Sequence, residues 1–430
     1  MAVPVAYDIT RLATRVLNVT PNGIDRIDFA FARHFLGSAQ QDCSAIMMTL
    51  LGPRAIPVEG ARDIVDGIAV HWGEDEKPDQ DESYRRIAGW IRGGGAKLVG
   101  AQRVARGRSG RAAGVFRWIG QHGFPFGRSP AAALPKGARY LNASQFPLWI
   151  PRYFRWLNQR PDVKAVFFIH DLLPIETPEY FRKAEYERHL RRLENLARFG
   201  AGAIVTTRVV KDALDRHLRT LGRTNMPILV APIPVAPIFH RRGEADATLA
   251  DHPYFVACGT IEPRKNHLML LHVWRELVRR TGAGAPKLVL IGGRGWENEN
   301  VVDLLERCGA IGNHVIEASG LSTPSLKRLL DGARALLMPS FAEGYGLPIA
   351  EALAAGAPVI ASDIPVFQEI GGGGIVAVSP IDGEKWLETI QAFADPASPE
   401  RLAALARAAK HKPASWKSYF ASIGEFLECL

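Results

Sequence analysis

The chain has 430 residues, 47% of them hydrophobic and 23% charged, a globular composition that excludes wholesale disorder and fibrous repeats and implies two or three domains. Its four cysteines, Cys43, Cys258, Cys308 and Cys429, lie far apart with no CxxC pair, which argues against a zinc site or a disulfide scaffold and fits a reducing compartment. The net charge of +9 is unevenly spread: residues 83–161 hold 15 Lys and Arg and no Asp or Glu, leaving 38 basic against 44 acidic residues elsewhere.

Taken in chain order, the first half predicts strands at 5–9, 44–51, 67–71, 163–169, 202–206 and 227–231, each an apolar, β-branched run ending in a polar or glycine turn. Helical periodicity covers 25–36, 179–197 and 209–221. The acid-free segment between them carries amphipathic pieces broken by glycine and proline. Prolines 232, 234, 237 and 253 and the charged run HRRGEAD then mark an interdomain linker. The second half is cleaner, with strands at 254–259, 287–293, 314–318, 335–340, 358–362 and 374–378. Helices alternate with them at 266–280, 301–308, 323–332 and 348–355. Such alternation means βαβ units and parallel sheets. The boundaries expected are a first domain over 1–235 with a basic insert near 83–161, a linker over 236–253, a second domain over 254–412, and a final helix over 413–430.

The opening residues lack a basic region followed by a long apolar run, so no signal peptide is expected. No stretch reaches the length of a membrane span. The expected location is cytoplasmic, with peripheral attachment to the inner leaflet through the basic segment. There Arg103, Arg106, Arg108, Arg111 and Arg117 alternate with aliphatic residues and Trp118, a pattern suited to an anionic lipid surface. The plainer alternative is a solvated basic face.

Four motifs carry candidate chemistry. The first is the turn Glu343, Gly344, Tyr345, Gly346, Leu347 and Pro348, with Glu351 one helical turn beyond Leu347. Two glycines permit close backbone approach to a ligand, and a helix starting near Leu347 points free N–H groups at the turn, a ready phosphate site. A helix start that merely complements its dipole needs neither the glycines nor a carboxylate on each side. The second is Gly259 to Asn266, where Arg264 and Lys265 follow a strand end, the usual ligand position in open α/β sheets. A planar fork and a point charge together suit a diphosphate, whereas alone the pair reads as a solvated helix start. The third is His170-Asp171 at the end of the 163–169 strand, placed to donate a hydrogen bond to a substrate oxygen or to move a proton. A structural His-Asp pair is the competing reading. The fourth, around Gly23 and Arg26, is a weaker phosphate-turn candidate, and the glycines at 292–295 lack the spacing of a dinucleotide fingerprint.

Together these residues resemble a family-4 glycosyltransferase of the GT-B fold, most strongly over about 254–375. The wording is EPRKN at 262–266, VLIGGRGWE at 289–297, SGLST at 319–323 and PSFAEGYGLPIAEALAAGAPVIASDIPVFQEIGG at 339–372. NGIDRID at 22–28, IHDLLP at 169–174 and the Thr206-Thr207 turn extend it more weakly into the first half. Within the family the wording is similar to bacterial mannosyltransferases of exopolysaccharide or O-antigen synthesis.

The resemblance implies an α/β fold of two Rossmann-like parallel-sheet domains facing across a cleft. It also implies transfer of a hexose, with retention and without a metal or other cofactor, from a nucleotide-diphosphate sugar such as GDP-mannose to a lipid-linked or oligosaccharide acceptor. On that analogy Lys265 and Arg264 neutralise the leaving diphosphate, and the amides of Gly344 to Leu347 bind donor sugar and phosphate. Glu343 holds sugar hydroxyls and Glu351 the ribose, His170 meets the sugar near C6, and Thr206 or Thr207 assist. One departure is Thr260, where many relatives carry an arginine before a loop one residue longer.

Hexosamine 2-epimerases share the architecture but lack the paired-glutamate signature. A nucleic-acid-binding protein would leave the donor motifs idle, and no nucleic-acid-binding motif is present. A UDP-sugar donor, and a subunit that binds nucleotide sugar without catalysis, stay open.

Overall fold

A computed structural model describes residues 3–15, 23–37, 42–49, 51–72, 77–93, 127–241, 243 and 245–430. The first sheet is built from β1 (Val5–Asp8), β2 (Cys43–Thr49), β3 (Gly52–Ile56), β4 (Arg139–Asn142), β5 (Lys164–Ile169), β6 (Gly200–Val205) and β7 (Ile228–Val230). Its order is β3-β2-β1-β4-β5-β6-β7, parallel except for the β2–β3 pair. The second contains β8 (Tyr254–Cys258), β9 (Lys287–Ile291), β10 (Val315–Ala318), β11 (Leu336–Met338), β12 (Val359–Ser362) and β13 (Ile375–Val378), all parallel, in the order β10-β9-β8-β11-β12-β13. Helices cover both faces of strands such as β8 and β11, whose residues are all buried. That is why these strands read as continuous apolar runs rather than alternating ones.

Three features depart from the sequence reading. The run at 67–71 is not a strand but the end of the helix Val58–Trp72. Ala61, Ile64, Val65, Ile68 and Trp72 are buried there while Val70 is 84% exposed, so the period is that of a helix face and the short β-branched run misled. Beyond Thr49 the chain turns back as β3, antiparallel to β2, with Thr49 facing Gly52 at a positive φ of 98°. The central strand β4, only four residues with an arginine and an asparagine, lies within the acid-free segment and gave no hydropathy signal.

The domain boundary also differs. The helix Glu82–Ile91, assigned by sequence to an insert of the first domain, packs in the core of the second. Tyr84, Ile87, Trp90 and Ile91 are buried there with Phe239, Leu249, Tyr254, Ile316 and Leu329. Asp81 caps this helix through the Ser83 and Tyr84 N–H groups, and its other oxygen accepts the Ser322 N–H at 2.9 Å. The Tyr84 hydroxyl donates to Asp246 at 2.8 Å and Lys287 Nζ stands 4.9 Å from the Trp90 ring centre. An element of the first half of the chain is thus stapled onto the second sheet. Replacing Trp90 by Ala is expected to cost about 3–5 kcal/mol through lost burial and the cavity left. Calorimetry checks it, at roughly 2–4 °C of melting temperature per kcal/mol for a domain of this size.

The segment 236–253 is not a free spacer either, because Phe239 and Leu249 lie in the same core. The last helix, Trp416–Glu428, lies on the first sheet's side, with Phe420 stacked on His34 at 3.8 Å and edge-on to Phe31. Among the described residues no helix is long and apolar enough to cross a membrane. The membrane-contact candidates Arg103, Arg106, Arg108, Arg111, Arg117 and Trp118 lie outside the described residues.

Candidate functional site

The C-terminal strand ends of the two sheets face each other, and most of the candidate motifs meet there. Strand β8 runs into Gly259, whose φ of 146° turns the chain, and Pro263–Lys265 forms one tight turn before Asn266 at a φ of 55° starts the helix His267–Thr281. Asn266 fixes this turn from both sides, its amide donating to the Pro339 carbonyl at 3.1 Å and the Pro380 carbonyl at 2.8 Å. A side chain at Gly259 would meet the Lys265 stem at 3.2 Å, so glycine lets the lysine fold back over the strand end. Gly292 serves the neighbouring loop similarly, since a Cβ there would lie 1.9 Å from the Gly259 carbonyl oxygen.

Glu343 follows β11 and is the centre of the charge cluster. Lys265 Nζ donates to its Oε1, Arg264 Nη1 reaches its Oε2 at 2.6 Å, and the Ser340 hydroxyl donates to Oε1 at 2.8 Å. Arg264 Nη2 also lies 2.6 Å from Glu262. Burial opposes the charge on Glu343, yet Arg264 and Lys265 hold its carboxyl down at about 2. Burial lowers the Lys265 ammonium, partly offset by Glu343. Burial also works against Arg264, but Glu343 and Glu262 raise it above its ordinary value. Two cations and two carboxylates are therefore prepaired at a strand end, in a site dry enough to magnify every charge.

The glycine turn follows. Gly346 has a φ of 105° and precedes the helix Leu347–Ala355, with Pro348 in its first turn. A Cβ on Gly346 would lie 2.8 Å from the Phe367 ring. Gly344 touches the opposite sheet: a Cβ there would stand 2.6 Å from Asp171 Cβ and 2.9 Å from the His170 carbonyl oxygen. Thr206 donates its hydroxyl to the Gly344 carbonyl at 3.0 Å, and Tyr345 donates to the Ile233 carbonyl at 2.9 Å. Thr207 is the N-cap of the helix Arg208–Thr220, accepting from the Val210 N–H. The resemblance implies that Thr206 or Thr207 assists donor binding; in this structure both hydroxyls bond backbone groups.

Glu351 lies buried one helical turn along. Burial raises its carboxyl, opposed by Arg26, whose Nη1 bonds Glu351 Oε1 at 2.8 Å from 325 residues away. Sequence reasoning missed this pairing, although Arg26 stood in the quoted motif. Gly23 begins the helix Gly23–Gly37, and no atom of the described residues lies within 4 Å of a Cβ built there. Glu369, with no signal in the sequence, accepts the Arg208 and Val209 N–H groups at 2.7 and 3.2 Å, capping a helix of the facing domain. Tyr180 stacks on Phe341 with ring centres 5.5 Å apart and adds a further bridge.

His170 ends β5 and is 6% exposed. Its Nε2 lies 2.8 Å from the Ala143 carbonyl, an acceptor only, so Nε2 carries the hydrogen and Nδ1 is left as an acceptor. Burial, with the Arg11 and Arg192 charges nearby, lowers the ring to about 3. A neutral ring with that affinity is too weak a base and too rarely an acid for proton transfer near neutrality. The expectation that His170 donates to a substrate oxygen or moves a proton is thus replaced by one that it accepts from a hydroxyl.

His267 is likewise buried and lowered to about 3, mainly by burial and then by Lys265. Unfolding exposes both rings to an ordinary value near 6.5, so below that pH the unfolded chain binds more protons. Stability is expected to fall as pH drops from about 6.5 towards 3, by roughly 1.4 kcal/mol per pH unit for each ring. Urea melts at pH 7, 6, 5 and 4 check this, and replacing His267 by Gln should lower the slope by about 1.4 kcal/mol per pH unit.

Among the described residues no group of three or more His, Cys, Asp or Glu is placed to hold a metal ion. The site offers instead paired cations, a glycine turn at a helix N-terminus and a neutral imidazole, which together match an anionic ligand carrying hydroxyls.

Residues 252–395 match the family model described as glycosyl transferases group 1. The chain is 31% identical over 219 residues to a serotype-specific mannosyltransferase of Escherichia coli, covering 48% of this chain and 27% of that protein. It is also 31% identical over 225 residues to an O-antigen chain mannosyltransferase of the same species, covering 50% and 57%. The chain thus spans well under two thirds of either relative. Among solved structures, Alr3699/HepE of Anabaena in complex with UDP and glucose aligns over 100% of both chains with a TM-score of 0.61 at 14% identity. Sucrose-phosphate synthase of Thermosynechococcus elongatus aligns over 99% of this chain and 98% of its own, with a TM-score of 0.58 at 16% identity. Residues 252–395 thus resemble the glycosyl transferases group 1 family, and the whole chain shares the two-domain α/β fold of the GT-B kind seen in these solved structures.

Proposed function

We propose that the protein is a retaining glycosyltransferase that moves a hexose, mannose first, from a nucleotide-diphosphate sugar to a lipid-linked or polysaccharide acceptor of bacterial surface-glycan synthesis. The observation that carries the reading is the buried cluster of Glu343, Lys265 and Arg264 beside the Gly344–Leu347 turn, opposite His170. In the proposed reaction, the diphosphate leaves with its charge met by Lys265, Arg264 and the free N–H groups of the helix beginning at Leu347, without a metal. Fixed charge at a leaving group is the largest contribution such a site makes. Donor entry requires Lys265 to share its ammonium between Glu343 and phosphate, while Glu343 turns an oxygen to the sugar hydroxyls. His170 Nδ1 accepts from a further hydroxyl. Glu351, now held by Arg26, takes the ribose once the cleft opens. Retention rests on the resemblance to family-4 enzymes, and mannose on the named relatives. The acid-free basic segment supports the further proposal of a cytoplasmic enzyme seated on an anionic inner leaflet.

A UDP-sugar donor is the second reading, favoured by the UDP and glucose bound in the Anabaena neighbour. A thermal-shift panel of GDP, UDP, ADP and their sugar conjugates decides between the two. A ligand at 100 times its dissociation constant adds about 2.7 kcal/mol, or roughly 5–10 °C at 2–4 °C per kcal/mol. A selective rise with GDP and GDP-mannose supports the mannosyl reading, and a rise with UDP species replaces it. No rise with any nucleotide removes the enzyme reading.

A further inference from the structure

Beside His170, the loop after β4 holds groups that the donor site does not use. Gln145 sits there in the left-handed region, with a φ of 59°, a conformation uncommon for a residue with a side chain. It is 5% exposed, and its Nε2 is buried without a hydrogen-bond partner among the described residues. An unsatisfied buried amide is costly and calls for a reason. Its Oε1 faces Arg192, whose Nη1 lies 3.5 Å away.

Arg192 comes from the helix Lys183–Phe199. Its Nη1 also donates to His189 Nε2, whose other ring nitrogen lies 2.8 Å from the Glu185 carbonyl, which fixes that histidine as a neutral acceptor. Arg192 Nε is buried without a partner among the described residues. Among the described residues no carboxylate lies within ion-pairing distance of this guanidinium, although Glu185 and Asp171 act on it from further off, against Arg188 and Arg11. Burial and the neighbouring arginines lower it to about 10, well below the usual range of arginine. Arg192 and Arg188 both lie over the ring of Trp149, at 5.2 and 5.1 Å. A largely buried guanidinium without a carboxylate, next to an amide with a free N–H, is half of an ion-binding site.

The position says what the other half belongs to. The Ala143 carbonyl that holds His170 lies in the same loop as Gln145, at the C-terminal ends of β4 and β5, where open α/β sheets bind ligands. Asp171, next along, touches Gly344 of the donor-side turn. We propose that Arg192 and Gln145 Nε2 form a subsite for an oxyanion of the acceptor, a phosphate or a carboxylate, on the first-domain side of the cleft. This rests on the proposed transferase reading, because it takes that side of the cleft as the acceptor side. The acceptor is then an anionic molecule, either a phosphate-linked carrier or a glycan bearing an acidic sugar. The free amide and guanidinium wait for its oxygens.

The test is equilibrium dialysis of the intact protein with radiolabelled inorganic phosphate, and separately with glucuronate. The nucleoside diphosphate that raises the melting temperature is present to fill the donor side. Binding of either ion is expected to weaken at least tenfold in Arg192→Gln. Gln145→Glu, which places a carboxylate against the guanidinium, should do the same and decides the matter if the first variant does not fold. Preference for phosphate names the carrier as the source, and preference for glucuronate names the sugar. Equal binding to wild type and to the folded variants, or no binding to wild type, overturns the subsite. A nucleotide shift with no anion binding leaves the transferase reading standing. If no nucleotide binds, the transferase reading falls, and dialysis run without nucleotide still reports whether Arg192 holds an anion.

Discussion

Replacing Lys265 by Ala is expected to lower the rate of sugar transfer by about 10²–10³, the usual loss when one fixed charge at a developing anion is removed. The fold should survive, because Glu343 keeps Arg264 at 2.6 Å and Ser340 at 2.8 Å. The change also relieves the desolvation of a buried ammonium. The expected signature is thus a kcat that collapses while the melting temperature moves by only a few degrees. Steady-state kinetics with the donor that the nucleotide panel selects, alongside a melting curve, separates the two. Full turnover in a protein of normal stability would remove Lys265 from the leaving-group role.

The opposite split is expected at its partner. Replacing Glu343 by Ala leaves Lys265 buried without its carboxylate, while Arg264 retains Glu262 at 2.6 Å. Breaking a buried pair from one side costs about 3–5 kcal/mol, a large share of the stability of any domain. Replacing it by Gln keeps a hydrogen-bond acceptor for Lys265 but not the charge, and should cost less. The pH signature distinguishes the charge from the shape. The Glu343 carboxyl is held at about 2 in the folded state against an ordinary value of 4.5. Its stabilising contribution is therefore complete above 4.5 and is lost as pH falls towards 2. In the Gln variant the difference from wild type should shrink steadily across that window, as read by urea unfolding at each pH. A difference that stays constant from pH 7 to pH 3 would mean that Glu343 contributes by packing and not by charge.

These two residues stand 78 positions apart, and their candidacy was legible in sequence because both follow strand ends in a βαβ chain. The motif around Glu343 named its own helix start, through Gly346 and Pro348. The Arg264–Lys265 turn was legible for the same reason. What the sequence did not show was that Asn266 locks that turn to two distant prolines, or that the lysine and the glutamate neutralise each other. His170 lies at its strand end as expected, but the sequence did not show which of its nitrogens is already engaged. Its tautomer depends on the Ala143 carbonyl, 27 residues away and reached only across the sheet.

By itself, then, the sequence determined two α/β halves, the positions of most strands along the chain and the residues at their ends, since hydropathy period and turn chemistry are local properties carried by neighbouring residues. Tertiary structure alone decided which half the helix Glu82–Ile91 belongs to, because its apolar face fits any hydrophobic surface and only the partners Ser322, Asp246 and Lys287 select one. It alone brought Arg26 to Glu351 and Gln145 to Arg192. Those pairings are fixed by how the sheets and helices pack, and a guanidinium carries the same letter in a chain whether its partner is water, a carboxylate or an absent ligand. The physical reason is one of range: propensity acts over a few residues, whereas burial and Coulomb energy depend on distances that exist only once the chain has closed.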